Sequence, residues 1–169
     1  MPLTVEDGSI VAAADSYISL PDAITYAKNH GIAPTLVAAQ ADDVKWEQYL
    51  RRAFDYVNKF TYKGSKCPRP DDPEPVEWPR FGVWIKNQLV NSDVVPRIVR
   101  YAQIETAISL SEDRQPDADY KEKKLVGKTV GPITKTYEPG QWNNADNWVL
   151  KKARDLLMDV LDFSTTVRK

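Results

Sequence analysis

The chain has 169 residues, enough for one domain that buries roughly two-thirds of the surface its unfolded form exposes. Its 23 basic and 24 acidic residues leave a net charge of −1. That balance excludes a global attraction to nucleic acid or to an anionic membrane and confines any nucleic-acid role to a local patch. The single cysteine, Cys67, excludes an intramolecular disulfide, and one cysteine with one histidine cannot build an ordinary zinc site.

No basic region followed by an apolar run opens the sequence, so no signal peptide is expected. No apolar stretch approaches the length of a bilayer span, so no membrane partner is expected. Residues 1–18 read as an extended arm, with Leu3, Val5, Ile10 and Val11 apolar and Asp7-Gly8 a turn signal. Such an arm packs on its own domain or on a neighbouring subunit.

Ser19-Leu20-Pro21-Asp22 marks a helix start, with Ser19 as N-cap and Asp22 at the positive end of the dipole. Gly31 ends that short helix. His30, beside it, is read as meeting a free C-terminal carbonyl rather than as a catalytic base. A longer helix is predicted from about Ala41 to Tyr62. Trp46, Leu50, Ala53, Val57 and Phe60 recur on one face, and Tyr49 and Phe54 widen it.

Residues 65–80 form an acidic, proline-rich loop. It places Cys67 between Lys66 and Arg69 and closes on Trp78-Pro79-Arg80. A Trp-Pro pair restricts the backbone and presents a large ring beside an arginine. The plain alternative is a loop pinned to its own domain by that ring. Val83, Trp84, Ile85 and Leu89 then suggest a short hairpin turning near Asn87. A third helix, capped by Ser92 or Asp93, is expected from about Val95 to Ser111. It is apolar on nearly every side, so its own domain or a partner must cover it. Glu105 interrupts it and is read as pairing with an arginine or facing solvent.

From Lys124 to Tyr137 the pattern is two strands joined by Gly131-Pro132. The segment 121–137 carries five lysines (121, 123, 124, 128 and 135) against Glu122 alone, the one distinctly basic stretch. A last helix begins near Ala145 and reaches about Leu161, followed by a tail to Lys169. The expected fold is therefore mainly α. It is a small bundle of about four helices (core 19–111 and helix-plus-tail 145–169) with an N-terminal arm and a β-hairpin insertion at 121–137.

Catalytic patterns are missing. Gly127-Lys128-Thr129 resembles the end of a phosphate-binding loop, but position 122 is glutamate where glycine is required, and the context is strand rather than strand-to-helix. No nucleophile elbow, paired-carboxylate or dinucleotide-binding pattern occurs. A non-enzymatic protein without cofactor or metal is expected.

The order of short motifs carries more. Val5-Glu6-Asp7-Gly8 precedes Asp15-Ser16-Tyr17-Ile18-Ser19-Leu20. Ala53-Phe54-Asp55-Tyr56-Val57 precedes Trp78-Pro79-Arg80-Phe81-Gly82-Val83. Val95-Pro96 opens the third helix, and Val130-Gly131-Pro132-Ile133 lies in the hairpin. This order resembles the tailed-bacteriophage head–tail connector, or adaptor, family. Related sequences of that family also carry the label DnaT-like single-stranded-DNA-binding protein.

The resemblance implies a structural ring, a dodecamer in the virion, in the neck between the portal and a tail or stopper protein. It would be assembled in host cytoplasm, with packaged duplex passing through its centre. Ring assembly by heterologous contacts would cover apolar surface. On this reading Val167, Arg168 and Lys169 contact the portal. Subunit or tail-side contacts fall to Lys121, Lys123, Lys124 and Lys128 and to the loop at Trp78, Arg80, Phe81 and Trp84. A solvated loop or a core aromatic is the ordinary alternative for each. The competing function is single-stranded-DNA binding by the same four lysines, with Tyr120, Tyr137 and Trp142 as stacking platforms.

Overall fold

A computed structural model of the chain describes residues 2–32, 43–68, 76–112, 125–129, 134–137 and 144–163, with the backbone alone in the parts of 125–150 that are included. Four helices are found among them. Helix α1 spans Leu20–Asn29, α2 Asp43–Asn58, α3 Arg97–Ser111 and α4 Asn144–Leu157. Three antiparallel two-stranded pairs accompany them. They are β1 (Ser65–Lys66) with β2 (Arg80–Phe81), β3 (Trp84–Ile85) with β4 (Gln88–Leu89), and β5 (Leu125–Thr129) with β6 (Thr134–Tyr137). The fold is mainly α with a β-hairpin, as the periodicity predicts. The 121–137 segment forms its two strands where the alternation places them.

The helix apolar on every side is the centre of the molecule. Helix α3 packs against both α2 and α4, and every residue from Ala102 to Leu110 is buried. Its own domain therefore covers it. Two clusters of side chains meet along it. One gathers Tyr17, Phe54, Trp78, Val83, Val99 and Leu157; the other gathers Tyr26, Trp46, Leu50, Ile104 and Ile108. Leu50, Val57, Val99 and Leu157 are fully enclosed, and each such side chain contributes about 2 kcal/mol.

Helix α1 starts as its sequence predicts, with the Asp22 N–H donating to the Ser19 hydroxyl at 3.3 Å. His30 caps its end. A ring nitrogen lies 2.9 Å from the Tyr26 carbonyl, and the imidazole stacks on the Tyr26 ring. Helix α3 starts later than Ser92 or Asp93 would give. Its N-cap is Pro96, without a side-chain cap bond. The cause is steric: a residue before proline is pushed out of the α region, so Val95 cannot be helical. Helix α2 stops at Asn58, short of Tyr62, because residues 61–63 pair instead with the chain after α4. Tyr62 bridges Leu161, Lys63 N–H donates to the Val160 carbonyl, and Asp162 N–H to that of Thr61.

The first eighteen residues are not an arm that runs extended. The chain doubles back through a loop organised by Glu6, which is fully buried. Its carboxylate accepts from the N–H groups of Gly8, Ile10 and Val11 at 2.8–3.0 Å. Gln103 of α3 fastens the exit of this loop. Its amide oxygen accepts from Tyr17 N–H at 2.8 Å, and its nitrogen donates to the Ser16 hydroxyl and the Leu50 carbonyl, both at 2.9 Å. One buried amide thus ties the loop, α2 and α3 together.

Candidate functional site

The Trp78-Pro79-Arg80 segment enters the core. The Trp78-Pro79 peptide bond is cis, and Trp78 is fully buried, edge-on to Tyr62 with ring centroids 5.5 Å apart. The Tyr17 hydroxyl donates to the Asn58 side-chain oxygen at 2.5 Å and accepts from Trp78 N–H at 3.2 Å. Arg80 is also buried, and its five N–H donors match five contacts. Its Nε donates to the Lys63 carbonyl at 2.9 Å. One terminal nitrogen reaches the Glu77 carbonyl and carboxylate at 3.2 and 2.7 Å. The other reaches the carbonyls of Tyr62 and Gly64 at 3.0 and 2.8 Å. Lys66 holds the second Glu77 oxygen at 2.5 Å. The expectation that Trp78 and Arg80 present a partner-binding surface is therefore corrected. Both side chains are consumed internally, and the motif pins its loop to the domain.

The residues that follow point outward. Strand alternation buries Val83 and turns Trp84 to solvent, leaving Ile85 half-buried. Lys86 and Asn87 both have positive φ, 48° and 65°, the signature of a two-residue type I′ hairpin turn. Leu89 lies directly opposite Trp84 in the register. Phe81 (49%), Trp84 (57%) and Leu89 (58%) are among the most exposed large apolar side chains of the described residues. Leu89 was legible only as a strand residue, because burial of one face is not written in so short a segment.

The basic hairpin is placed in part. Lys128, on β5, stands directly opposite Lys135, on β6, and Leu125 opposite Tyr137. Lys121, Lys123, Lys124, Tyr120 and Trp142 lie outside the described residues, as do Val167, Arg168 and Lys169.

Two other groups depart from their sequence reading. Glu105 neither meets an arginine nor faces solvent. It is buried, accepts from the Tyr26 hydroxyl at 2.6 Å and pairs with Lys152 of α4 at 2.5 Å. Burial first, and the Glu105 carboxylate second, raise the Tyr26 hydroxyl well above its ordinary pKa. Cys67 is not an exposed loop thiol. It is buried, with Sγ donating to the Ser92 carbonyl at 3.3 Å. Among the described residues no group of three or more His, Cys, Asp or Glu side chains could hold a metal ion, and no helix is long and apolar enough to cross a membrane.

Two segments are thus left for function: the exposed apolar β3–β4 hairpin with Phe81, and the basic stretch 121–137 that includes β5 and β6. Family comparison bears on the choice between them. The chain belongs to the family described as "Putative DnaT-like ssDNA binding protein", whose model matches residues 1–169. Comparison with curated proteins and with solved structures finds no match.

Proposed function

We propose that the protein acts by binding rather than by catalysis, and that it holds single-stranded DNA through the basic hairpin β5–β6. The observation that carries this reading is the register that sets Lys128 against Lys135. Like charges directly opposite in an antiparallel pair destabilise it, and an anion between them removes the penalty. Lys121, Lys123 and Lys124 precede the same hairpin in sequence, opposed only by Glu122. The family description names the same ligand class. A net charge of −1 supplies no long-range attraction, so the electrostatic part of the affinity must come from local cations such as these.

The consequence is a steep but bounded salt dependence. The five lysines of segment 121–137, each neutralising one phosphate, contribute about −3.5 to the slope of log K against log salt. Affinity then falls roughly a hundredfold between about 50 and 200 mM salt. Titration of the full chain into a fluorescent oligothymidylate at several salt concentrations tests this. A flat response, or no binding at the lowest salt, sinks the reading.

A second reading is supported by the other hairpin. Exposed Phe81, Trp84 and Leu89, the near-zero net charge and the motif order all suit a head–tail adaptor. Such an adaptor sits in a virion ring between portal and tail or stopper proteins, and a conduit for duplex DNA should not grip it. Electron microscopy of particles from a phage carrying an early stop codon in this gene separates the two. Filled heads unjoined to free tails support the adaptor. Joined virions in reduced number, with depressed viral DNA synthesis, support the DNA-binding function.

A further inference from the structure

Resting on the DNA-binding reading, we infer that the β3–β4 hairpin and Phe81 form a base-stacking platform for single-stranded nucleic acid, with Lys86 at its tip for a phosphate. In the sequence, Phe81 and Trp84 are read as subunit or tail-side contacts, and base stacking is placed at Tyr120, Tyr137 and Trp142 instead. Trp84 and Phe81 are about half exposed, whereas Trp46, Trp78, Tyr17, Phe54 and Tyr62 are buried. Phe81 and Trp84 are three residues apart, so the backbone holds them within roughly 10 Å. The backbone between them is tied to the core: Val83 is fully buried, and the Val90 N–H donates to the Val83 carbonyl at 2.9 Å.

Charge favours a nucleic acid over a protein partner. Between Arg80 and Val90 the chain has no carboxylate, and since Arg80 is buried, Lys86 is the exposed cation of that stretch. An anionic chain carrying flat bases complements an apolar face with a cation at its edge. The exposed portions of Phe81, Trp84 and Leu89 amount to on the order of 300 Å², taking about 200 Å² for each whole side chain. An exposed apolar area of that size suits one or two stacked bases. Lys86 adds a conformational argument. Its φ of 48° favours glycine or asparagine at that turn position, yet a lysine stands there. A residue that strains the turn but presents a cation is placed for its charge.

The test uses the full chain and a fluorescein-labelled oligothymidylate, read by anisotropy at low and at physiological salt, with thermal melts confirming that each variant folds. Trp84→Ala and Phe81→Ala are each expected to weaken binding roughly tenfold and to leave the salt slope unchanged, because stacking releases no counterions. Lys86→Asn is expected to make the slope shallower by about 0.7 and to raise the melting temperature, since asparagine relieves the turn. Wild-type binding that Trp84→Ala and Phe81→Ala leave intact overturns the platform and spares the DNA-binding reading. A wild-type protein that binds no oligothymidylate at either salt overturns both. Variants that keep full DNA affinity but lose association with a second copy or a protein partner mark the hairpin as a protein-docking face, and that also overturns the proposal.

Discussion

Replacing Arg80 with methionine keeps much of the side-chain volume and removes every donor of the guanidinium. Four backbone carbonyls, those of Tyr62, Lys63 and Gly64 after α2 and that of Glu77, then lose their guanidinium donor. An apolar replacement of a buried ion pair is often neutral when both partners change, because nothing polar remains behind. Here the acceptors are peptide groups and cannot be exchanged. Removing one member of a buried charged network costs about 3–5 kcal/mol. Glu77 is 15% exposed and retains Lys66, which moves the expectation to the lower end, about 3 kcal/mol. That is a large share of the roughly 5–15 kcal/mol that holds a domain folded. In urea, with a slope of about 2 kcal/mol per M, the midpoint should fall by about 1.5 M. Arg80→Lys should lose nearly as much, since one ammonium cannot reach carbonyls on four residues and a carboxylate together. Phe81→Ala, at the exposed neighbour, should change stability by under about 0.5 kcal/mol. An Arg80→Met midpoint within about 0.5 M of wild type would refute the claim that this guanidinium organises the loop.

Other consequences follow from the same contacts. Gly64 has φ +73°, and a Cβ there would sit 2.1 Å from the Phe81 carbonyl oxygen, so Gly64→Ala should cost more than about 2 kcal/mol and disrupt the β1–β2 pair. Gly31 has φ +61° but open space around it, so Gly31→Ala should cost only about 1 kcal/mol; equal losses in thermal melts would show that the close approach is irrelevant. Gln103→Leu should cost about 2 kcal/mol in urea, chiefly because Tyr17 N–H loses the Gln103 acceptor; a neutral result would mean that the backbone shifts to satisfy it. Burial raises both the Tyr26 and the Tyr62 hydroxyl above the ordinary tyrosine pKa of 10.0. The folded chain therefore holds protons that the unfolded chain releases, so this stability is complete below pH 10.0 and declines as pH rises beyond it. Tyr26→Phe should flatten that alkaline decline in a melting-temperature series, and a curve parallel to wild type would remove Tyr26 from its cause.

What the sequence revealed and what it hid divide along a physical line. Leu50, Ala53 and Val57 announce a buried helical face because their spacing is a property of the helix itself. Asn87 announces the hairpin turn, and His30 the helix end, through local conformational preference. The alternative of a loop pinned by its ring holds for Trp78, which meets Tyr62; Arg80 is hidden because its partners include the carbonyls of Tyr62, Lys63 and Gly64. Those are peptide groups that every residue has, and the fold brings them close. Glu6 escaped notice for the same reason, since its partners are three backbone N–H groups. The Val95-Pro96 pair, by contrast, was a readable signal: the proline sets the start of α3 more firmly than Ser92 or Asp93 could. The candidate surfaces were half legible. The lysine count picked out the basic hairpin, but the opposition of Lys128 and Lys135 is a matter of register, which alternation alone does not set.

The central claim rests on that opposition, and one comparison tests it most directly. Wild-type protein and a Lys128→Ser, Lys135→Ser double variant would be titrated with labelled oligothymidylate across a salt series, alongside their thermal melts. The account predicts that the variant's slope in log K against log salt is shallower by about 1.4, while its fold is as stable as wild type or slightly more so, relieved of like-charge opposition. Identical slopes and affinities for the two proteins would contradict it and leave the exposed hairpin of an adaptor as the better account.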